Sequence, residues 1–297
     1  MVSAGDTLDV VIVNYRRADL LEQALDALRQ SERRPDEVVV VDVSPMQPLP
    51  LDLRTGERLL TLDENPGYAA ACNRGATGSV SEWVLFMNAD VFVCETCIGG
   101  VLDEAMADPG IGVATCRLDR PDGAMDHACH RGLPSVVDSL AYKARLDRLT
   151  SSSRRLGHYR LTWMDPTGTH DVEACSGAFL LVRRDVLEAI DGWDERYRFY
   201  AEDLDLCARV AGAGWRIRYV GSEVAVHVKG SSSHLHHSTK GLTREEQATR
   251  RHARAAAIES HERFYEQHLE EGTARPLRPL VRLMFATQRR MLRLSRR

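Results

Sequence analysis

No run of apolar residues in this sequence approaches the roughly 20 needed to cross a bilayer, and its start lacks the basic opening and long apolar middle of a signal peptide. The expectation is a cytoplasmic protein. Cysteine is sparse. The seven, Cys72, Cys94, Cys97, Cys116, Cys129, Cys175 and Cys207, are odd in number and scattered, which fits reduced thiols better than a disulfide framework. There is no internal repeat. Acidic residues are absent from Gly272 to Arg297, where eight arginines stand. The remaining chain therefore holds 31 of the 39 basic residues against all 43 acidic ones, about −12 where the whole chain is −4. A tail so different in charge points to a task or partner of its own.

What is present suits a globular protein: 297 residues, 43% hydrophobic and 28% charged, enough for a large core. Asp9 to Val13 (DVVIV) is a β-rich run, and Leu20, Leu21, Ala24, Leu25 and Leu28 then recur at helical spacing. Val38 to Val41 reads as a parallel strand buried on both faces. ENPGYAAACNRG reads as a turn and a small-residue helix, EWVLFMNAD as a strand, and Ile98, Val101, Leu102, Ala105 and Met106 as the next helical stripe. This alternation predicts an α/β sandwich on a mainly parallel sheet. The stretch 122–171 has weak periodicity and reads as irregular structure lining a site. Beyond it come CSGAFLLVRRDVLEAI, a loop and helix in GWDERYRFYAEDLDLCARVAGAGW, strands in WRIRYV and EVAVHVKG, and a long polar helix from a Thr243/Glu246 capping box to about Leu269.

Ligands of an open parallel sheet bind beyond the carboxyl ends of its strands. Asp42 and Asp90 both stand at such ends. Asp90 suits Mg²⁺ or Mn²⁺, hard ions that complete their shells with water and diphosphate oxygens. Strand alternation sets Ala225, His227 and Lys229 on the face opposite Val224, Val226 and Val228, so an imidazole and an ammonium share one face; imidazole favours Mn²⁺. In YAEDLDL, Glu202 and Asp203 open a helix after the aromatic RYRFY segment, where a walled pocket can raise a carboxyl's pKa and make a general base.

Three stretches, VVIVNYRRADLLEQALDAL, ENPGYAAACNRGA…WVLFMNAD and SGAFLLVRRDVLEAIDGWDERYRFYAEDLDLCARVAGAGW, together resemble the inverting family-2 glycosyltransferases of GT-A fold, most closely their bacterial rhamnosyltransferase-like branch. The resemblance runs from about Leu8 to Lys229. It implies a GT-A (Rossmann-like) α/β/α catalytic domain at 1–240, with a donor-binding half at about 8–120 and an acceptor-side half at about 121–240. Residues 241–297 would then be a helical extension ending in the basic tail.

The resemblance also implies roles. Tyr15 and Asp42 would hold the nucleobase, Asn65, Gly67 and Asn73 would lie near the donor nucleotide, and Asn88 and Asp90 take the Asp-x-Asp position. Ser176, Gly177 and Ala178 would pass close to the donor sugar, and Lys229 would assist the diphosphate. Asp90 and His227 would be the metal ligands, Asp203 the catalytic base and Glu202 its support. The implied reaction is metal-dependent hexosyl transfer, most simply of L-rhamnose from dTDP-L-rhamnose, with UDP-sugars next, to a glycan or polyprenyl-linked acceptor. Two positions depart from the pattern: Asn88 replaces the first Asp, and DVSP stands where Asp-Asn-x-Ser is common.

Three rivals are weighed. A nucleotidyltransferase resembles a different pattern, a Gly-rich loop after the first strand, where this chain has NYRRAD. A glycoside hydrolase would use paired carboxylates without a nucleotide-sugar. A zinc-binding interaction module would draw on Cys94-x-x-Cys97, HACH at 127–130 and histidines 234, 236 and 237, but no second pair has zinc-finger spacing. In the tail, Leu280, Leu283, Met284, Met291 and Leu294 recur among arginines, as in a helix lying on an anionic membrane surface. Packing of a basic helix on the acidic domain is the other reading, and nucleic acid fits poorly because the rest of the chain is acidic.

Overall fold

The computed structural model describes residues 6–44, 49–136, 138, 153–154, 157–228 and 243–294. Lys229 and histidines 234, 236 and 237 lie outside the described residues. A nine-stranded sheet forms the centre. Strands β1 (Leu8–Asn14), β2 (Glu37–Asp42), β3 (Glu57–Thr61) and β4 (Trp83–Asn88) pair in parallel in the order β3-β2-β1-β4. The remaining strands are β5 (Val91–Val93), β6 (Ile111–Asp119), β7 (Thr169–Val172), β8 (Phe179–Arg183) and β9 (Arg216–His227). Beyond β4 the sheet continues as β8-β6-β9-β5, with β7 on β9. There β6 and β9 run parallel, whereas β8 is antiparallel to both β4 and β6.

The helices follow from their apolar stripes. In α1 (Ala18–Gln30) the five residues Leu20, Leu21, Ala24, Leu25 and Leu28 are buried, and Glu22, Gln23 and Asp26 face water. Helix α2 (Tyr68–Ala76) packs close on the sheet because its inner face is small: a Cβ on Gly75 would come 2.3 Å from Val11 Cγ1 and 2.8 Å from Val41 Cγ2. Helix α3 (Cys97–Met106) buries Ile98, Val101, Leu102 and Ala105 but leaves Met106 exposed, since that residue sits on the far side of the last turn. Helices α4 (Arg184–Ala189) and α5 (Glu202–Gly212) flank the second half of the sheet.

The two strands expected in WRIRYV and EVAVHVKG form one, β9. Its pairing with β6 jumps from Cys116↔Val220 to Arg117↔Val224, so Gly221, Ser222 and Glu223 bulge. Gly221 is required there, because a Cβ would meet the carbonyl oxygens of Gly168 and Pro166 at 2.6 and 2.7 Å.

The C-terminal extension is helical. Helix α6 (Arg244–Phe264) runs into a π turn, Tyr265–Leu269, and α7 (Arg278–Leu294) folds back on it. The extension is fastened to α5: His268 Nε2 meets the fully buried Asp205 at 2.7 Å, and Tyr197 Oη donates to Gln267 Oε1 at 2.7 Å. Asp205 also takes Arg209 at 2.7 Å, so this acid of the YAEDLDL motif is structural. Phe285 of α7 is buried against Tyr265, and Arg282 pairs with Glu270. Leu277, Leu280, Leu283 and Met291 remain exposed on the other side.

Candidate active site

At the carboxyl end of β2, Asp42 is fully buried. Its Oδ1 accepts from Asn14 Nδ2 at 3.0 Å and from the Ser44 amide at 3.2 Å, whereas Oδ2 has no partner among the described residues. A buried carboxylate oxygen without a donor is costly. Tyr15, directly after β1, is half-buried, with the Arg16 guanidinium 5.2 Å from its ring centre. Arg16 itself has a positive φ of 56°, a backbone strain of the kind that gathers at functional sites.

Gly67 precedes α2 at φ 102°, where its amide is fixed by Asn65 Oδ1 at 2.9 Å and a Cβ would strike the Arg198 carbonyl oxygen at 2.7 Å. Asn73 lies in the second half of α2. Its Oδ1 accepts from the Trp193 amide at 2.9 Å and its Nδ2 donates to the Trp193 carbonyl at 2.8 Å, which clamps the loop before α5.

Asp90 follows β4, buried, and faces His227 at the end of β9: the His227 Nε2 to Asp90 Oδ1 distance is 3.5 Å. The sequence did not reveal the third member. Asp126, N-cap of a 3₁₀ turn, takes the other ring nitrogen, Nδ1, at 3.2 Å. Burial opposes charge on this ring, but hydrogen bonding to Asp126 and Asp90 outweighs it and raises His227 to about 9. The strand alternation holds: Ala225 and His227 are buried and the flanking valines half-buried.

Asp203, in the first turn of α5, is gripped from three sides. Arg131 Nη2 donates to its Oδ2 at 2.7 Å, the Gly177 amide donates to the same oxygen at 3.4 Å, and the Leu204 amide donates to Oδ1 at 2.8 Å. Arg131 is buried and also donates to the Cys175 carbonyl at 3.1 Å. Glu202, the adjacent acid, has an Oε2 with no partner among the described residues; burial first, and then the charge of Asp203, raise it to about 8. Two consecutive non-glycine residues at φ 65°, Tyr200 and Ala201, set up this turn.

The segment Ser176–Ala178 ties the two ends together. The Ala178 carbonyl accepts from the Asn88 amide at 3.0 Å and Ser176 Oγ accepts from the Ala178 amide at 3.2 Å. Tyr68 Oη donates to the Gly177 carbonyl at 2.7 Å. A Cβ on Gly177 would lie 3.3 Å from both Trp193 and Tyr68 and 3.6 Å from Asp203 Cβ, so the segment is pressed between an aromatic wall and the acid. The HACH histidines gather no such set among the described residues; His130 packs against His170 and Tyr219 instead.

The sequence pattern of Glycosyl transferase family 2 matches residues 9–190. An N-acetylglucosaminyl-diphospho-decaprenol L-rhamnosyltransferase of Mycobacterium tuberculosis is 32% identical over 242 residues, 77% of this chain and 78% of that protein. The O-antigen biosynthesis protein RfbC of Myxococcus xanthus is 29% identical over 75% of this chain but only 17% of its own length. Among solved structures, GalNAc-T7 with UDP, GalNAc and Mn²⁺ superposes with a TM-score of 0.55 at 15% identity, over 74% of this chain and 43% of that one. The mannosyltransferase PcManGT from Pyrobaculum calidifontis with GDP-Man and Mn²⁺ gives 0.51 at 18% identity, over 93% and 68%. Both likenesses bear on the fold, an α/β sheet of GT-A type. The chain belongs to glycosyl transferase family 2.

Proposed function

We propose that this glycosyltransferase is inverting and divalent-cation-dependent, and moves L-rhamnose from dTDP-L-rhamnose to a hydroxyl of a polyprenyl-linked glycan. The sugar and the acceptor class rest on the mycobacterial relative, whose name states both. The observation that carries the mechanism is the contact of Asp203 with the Gly177 amide, which joins the acid of α5 to a segment whose next residue binds Asn88 at the end of β4.

Asp203 takes the proton from the acceptor hydroxyl as that oxygen attacks the anomeric carbon. The nucleoside diphosphate leaves from the opposite face, and the configuration inverts in one displacement. Arg131 positions the acid. A second reading, with Glu202 as the base, is favoured by its unpartnered oxygen and raised proton affinity. At the other end of the donor, the free Oδ2 of Asp42 accepts a nucleobase N–H, and Tyr15 walls that pocket.

The residues fit Mg²⁺ or Mn²⁺. Asp90 and Nε2 of His227 face each other, and Asp126 lies behind the ring on Nδ1, the usual way a carboxylate fixes a ligand imidazole. Both solved structures carry Mn²⁺. Once bound, the ion supplies positive charge against the diphosphate. The exposed apolar side of α7, flanked by arginines, is the surface that would meet the anionic membrane carrying such an acceptor.

A binding screen of nucleotide-sugars with Mg²⁺ or Mn²⁺ tests the donor. Saturable binding of dTDP-L-rhamnose above UDP- and GDP-sugars is expected; preference for another sugar nucleotide overturns the rhamnosyl assignment.

A further inference from the structure

Two chemistry-bearing ends share one short ribbon. Strand β5 pairs antiparallel with β9 through Val91↔His227, Phe92↔Val226 and Val93↔Ala225. One end of this ribbon carries Asp90 and His227. The other carries Cys94 immediately after β5 and Glu223 in the bulge of β9, four residues and so about 13 Å away at roughly 3.3 Å per residue.

At that far end α3 begins with Cys97, whose amide takes the Cys94 carbonyl at 3.2 Å, so the turn Cys94-Glu95-Thr96-Cys97 turns both thiols to one side. One sulfur from each cysteine and a carboxylate oxygen of Glu223 lie within 4.8 Å of one another. Among the described residues, this is the set of three such ligand atoms drawn together. Gly100 makes the approach of the acid possible: a Cβ there would lie 2.5 Å from Glu223 Oε1 and 2.6 Å from its Cδ. Thr96 Oγ1 donates to Glu223 Oε2 at 3.0 Å and steadies the carboxylate. Cys97 is buried, Glu223 is half-buried and Cys94 is exposed, beside a cavity of about 460 Å³ bounded by Gln23, Gln30 and Phe92. The cluster is therefore open to an entering ion at Cys94.

Two sulfurs and one oxygen are a donor set unlike the Asp90/His227 pair. Thiolates select borderline and soft ions, Zn²⁺ among divalent cations, and Zn²⁺ takes three protein ligands with water in a fourth position. The first turn of a helix also favours the negative charge of the thiolate ligands.

We propose that Cys94, Cys97 and Glu223 form a second cation site, for Zn²⁺ or a similarly thiophilic divalent ion, separate from the site at Asp90 and His227. Occupied, it clamps the bulge of β9 to the start of α3 and braces the ribbon that ends at Asp90 and His227.

Cobalt(II) titration of the full-length protein tests this, with thiols kept reduced by a non-thiol phosphine and with Asp90→Ala as background. The expected result is one equivalent of Co²⁺ giving a thiolate-to-cobalt charge-transfer band, erased when Zn²⁺ displaces it. Adding Cys94→Ser should abolish the band; this residue is exposed, so the fold survives the change. Glu223→Gln should keep the band and weaken the affinity. Zn²⁺ should raise the melting temperature of the Asp90→Ala protein but not of the Asp90→Ala/Cys94→Ser protein. Absence of the band from the reduced Asp90→Ala protein overturns the proposal, as does a band that persists after Cys94→Ser.

Discussion

The guanidinium of Arg131 meets the carboxylate of Asp203 at 2.7 Å although 72 residues separate them in the chain. The pair is largely shielded from water, with side-chain exposures of 9% and 16%. The arginine thereby fixes which oxygen of the acid stays with the Gly177 amide, and where the other points. Replacing Arg131 with Met should lower kcat by about 10²-fold with little change in donor KM, because a small displacement of a reacting group costs about that much. Steady-state kinetics check it, with Arg131→Lys recovering part of the loss; an unchanged kcat removes Arg131 from the positioning role.

Asp126 should matter through His227. Asp126→Ala is expected to weaken Mn²⁺ binding roughly 10–100-fold, the range found when a carboxylate behind a ligand imidazole is lost. Titration of the nucleotide complex with Mn²⁺ measures it. Equal affinity in the variant would remove Asp126 from the metal's support.

Much of this arrangement was legible in the sequence, and the reasons differ by residue. Asp42, Asp90 and His227 each close an apolar strand, so the strand pattern delivers them to the sheet's edge, and Asp203 opens a helix whose apolar face is plain. Arg131 and Asp126 come from the aperiodic stretch 122–171, where no pattern fixes the direction of a side chain. Only the 3₁₀ turn capped by Asp126 leaves a faint local signal, an Asp before HACH. The bonds of Asn73 were not legible, because they depend on Trp193 returning 120 residues on. The single strand β9 was read as two because Gly221 to Glu223 interrupt the alternation without ending the pairing.

Glu202 makes folding stability depend on pH with a definite sign. Its folded value of about 8 lies above the ordinary 4.5, so the folded state holds the proton more tightly. That contribution is full below 4.5 and is lost as pH rises through about 8. Glu202→Gln should flatten this part of the profile, seen as a smaller difference between denaturation midpoints at about pH 5 and about pH 9. An unaltered difference would show that Glu202 is not the group responsible.

The tail presents two faces, one packed and one proposed to meet a membrane. Phe285 is buried against the π turn, whereas Leu280, Leu283 and Met291 are 60–65% exposed. Changing these three together to Glu should release the protein from anionic vesicles at low salt while altering stability by no more than about 1 kcal/mol, as expected for surface substitutions. Co-sedimentation and a thermal melt measure the two effects. Undiminished co-sedimentation would contradict membrane contact through this face.

The role of Asp203 as the base is tested most directly by Asp203→Asn, in which turnover and nucleotide binding are measured on the same preparation. Removing a positioned base typically costs ~10²–10⁴-fold. The account predicts a fall of at least about 10²-fold in transfer with nucleotide binding nearly unchanged. Retention of more than about a tenth of the turnover would contradict it, and a large loss in Glu202→Gln alone would move the base to the neighbouring acid.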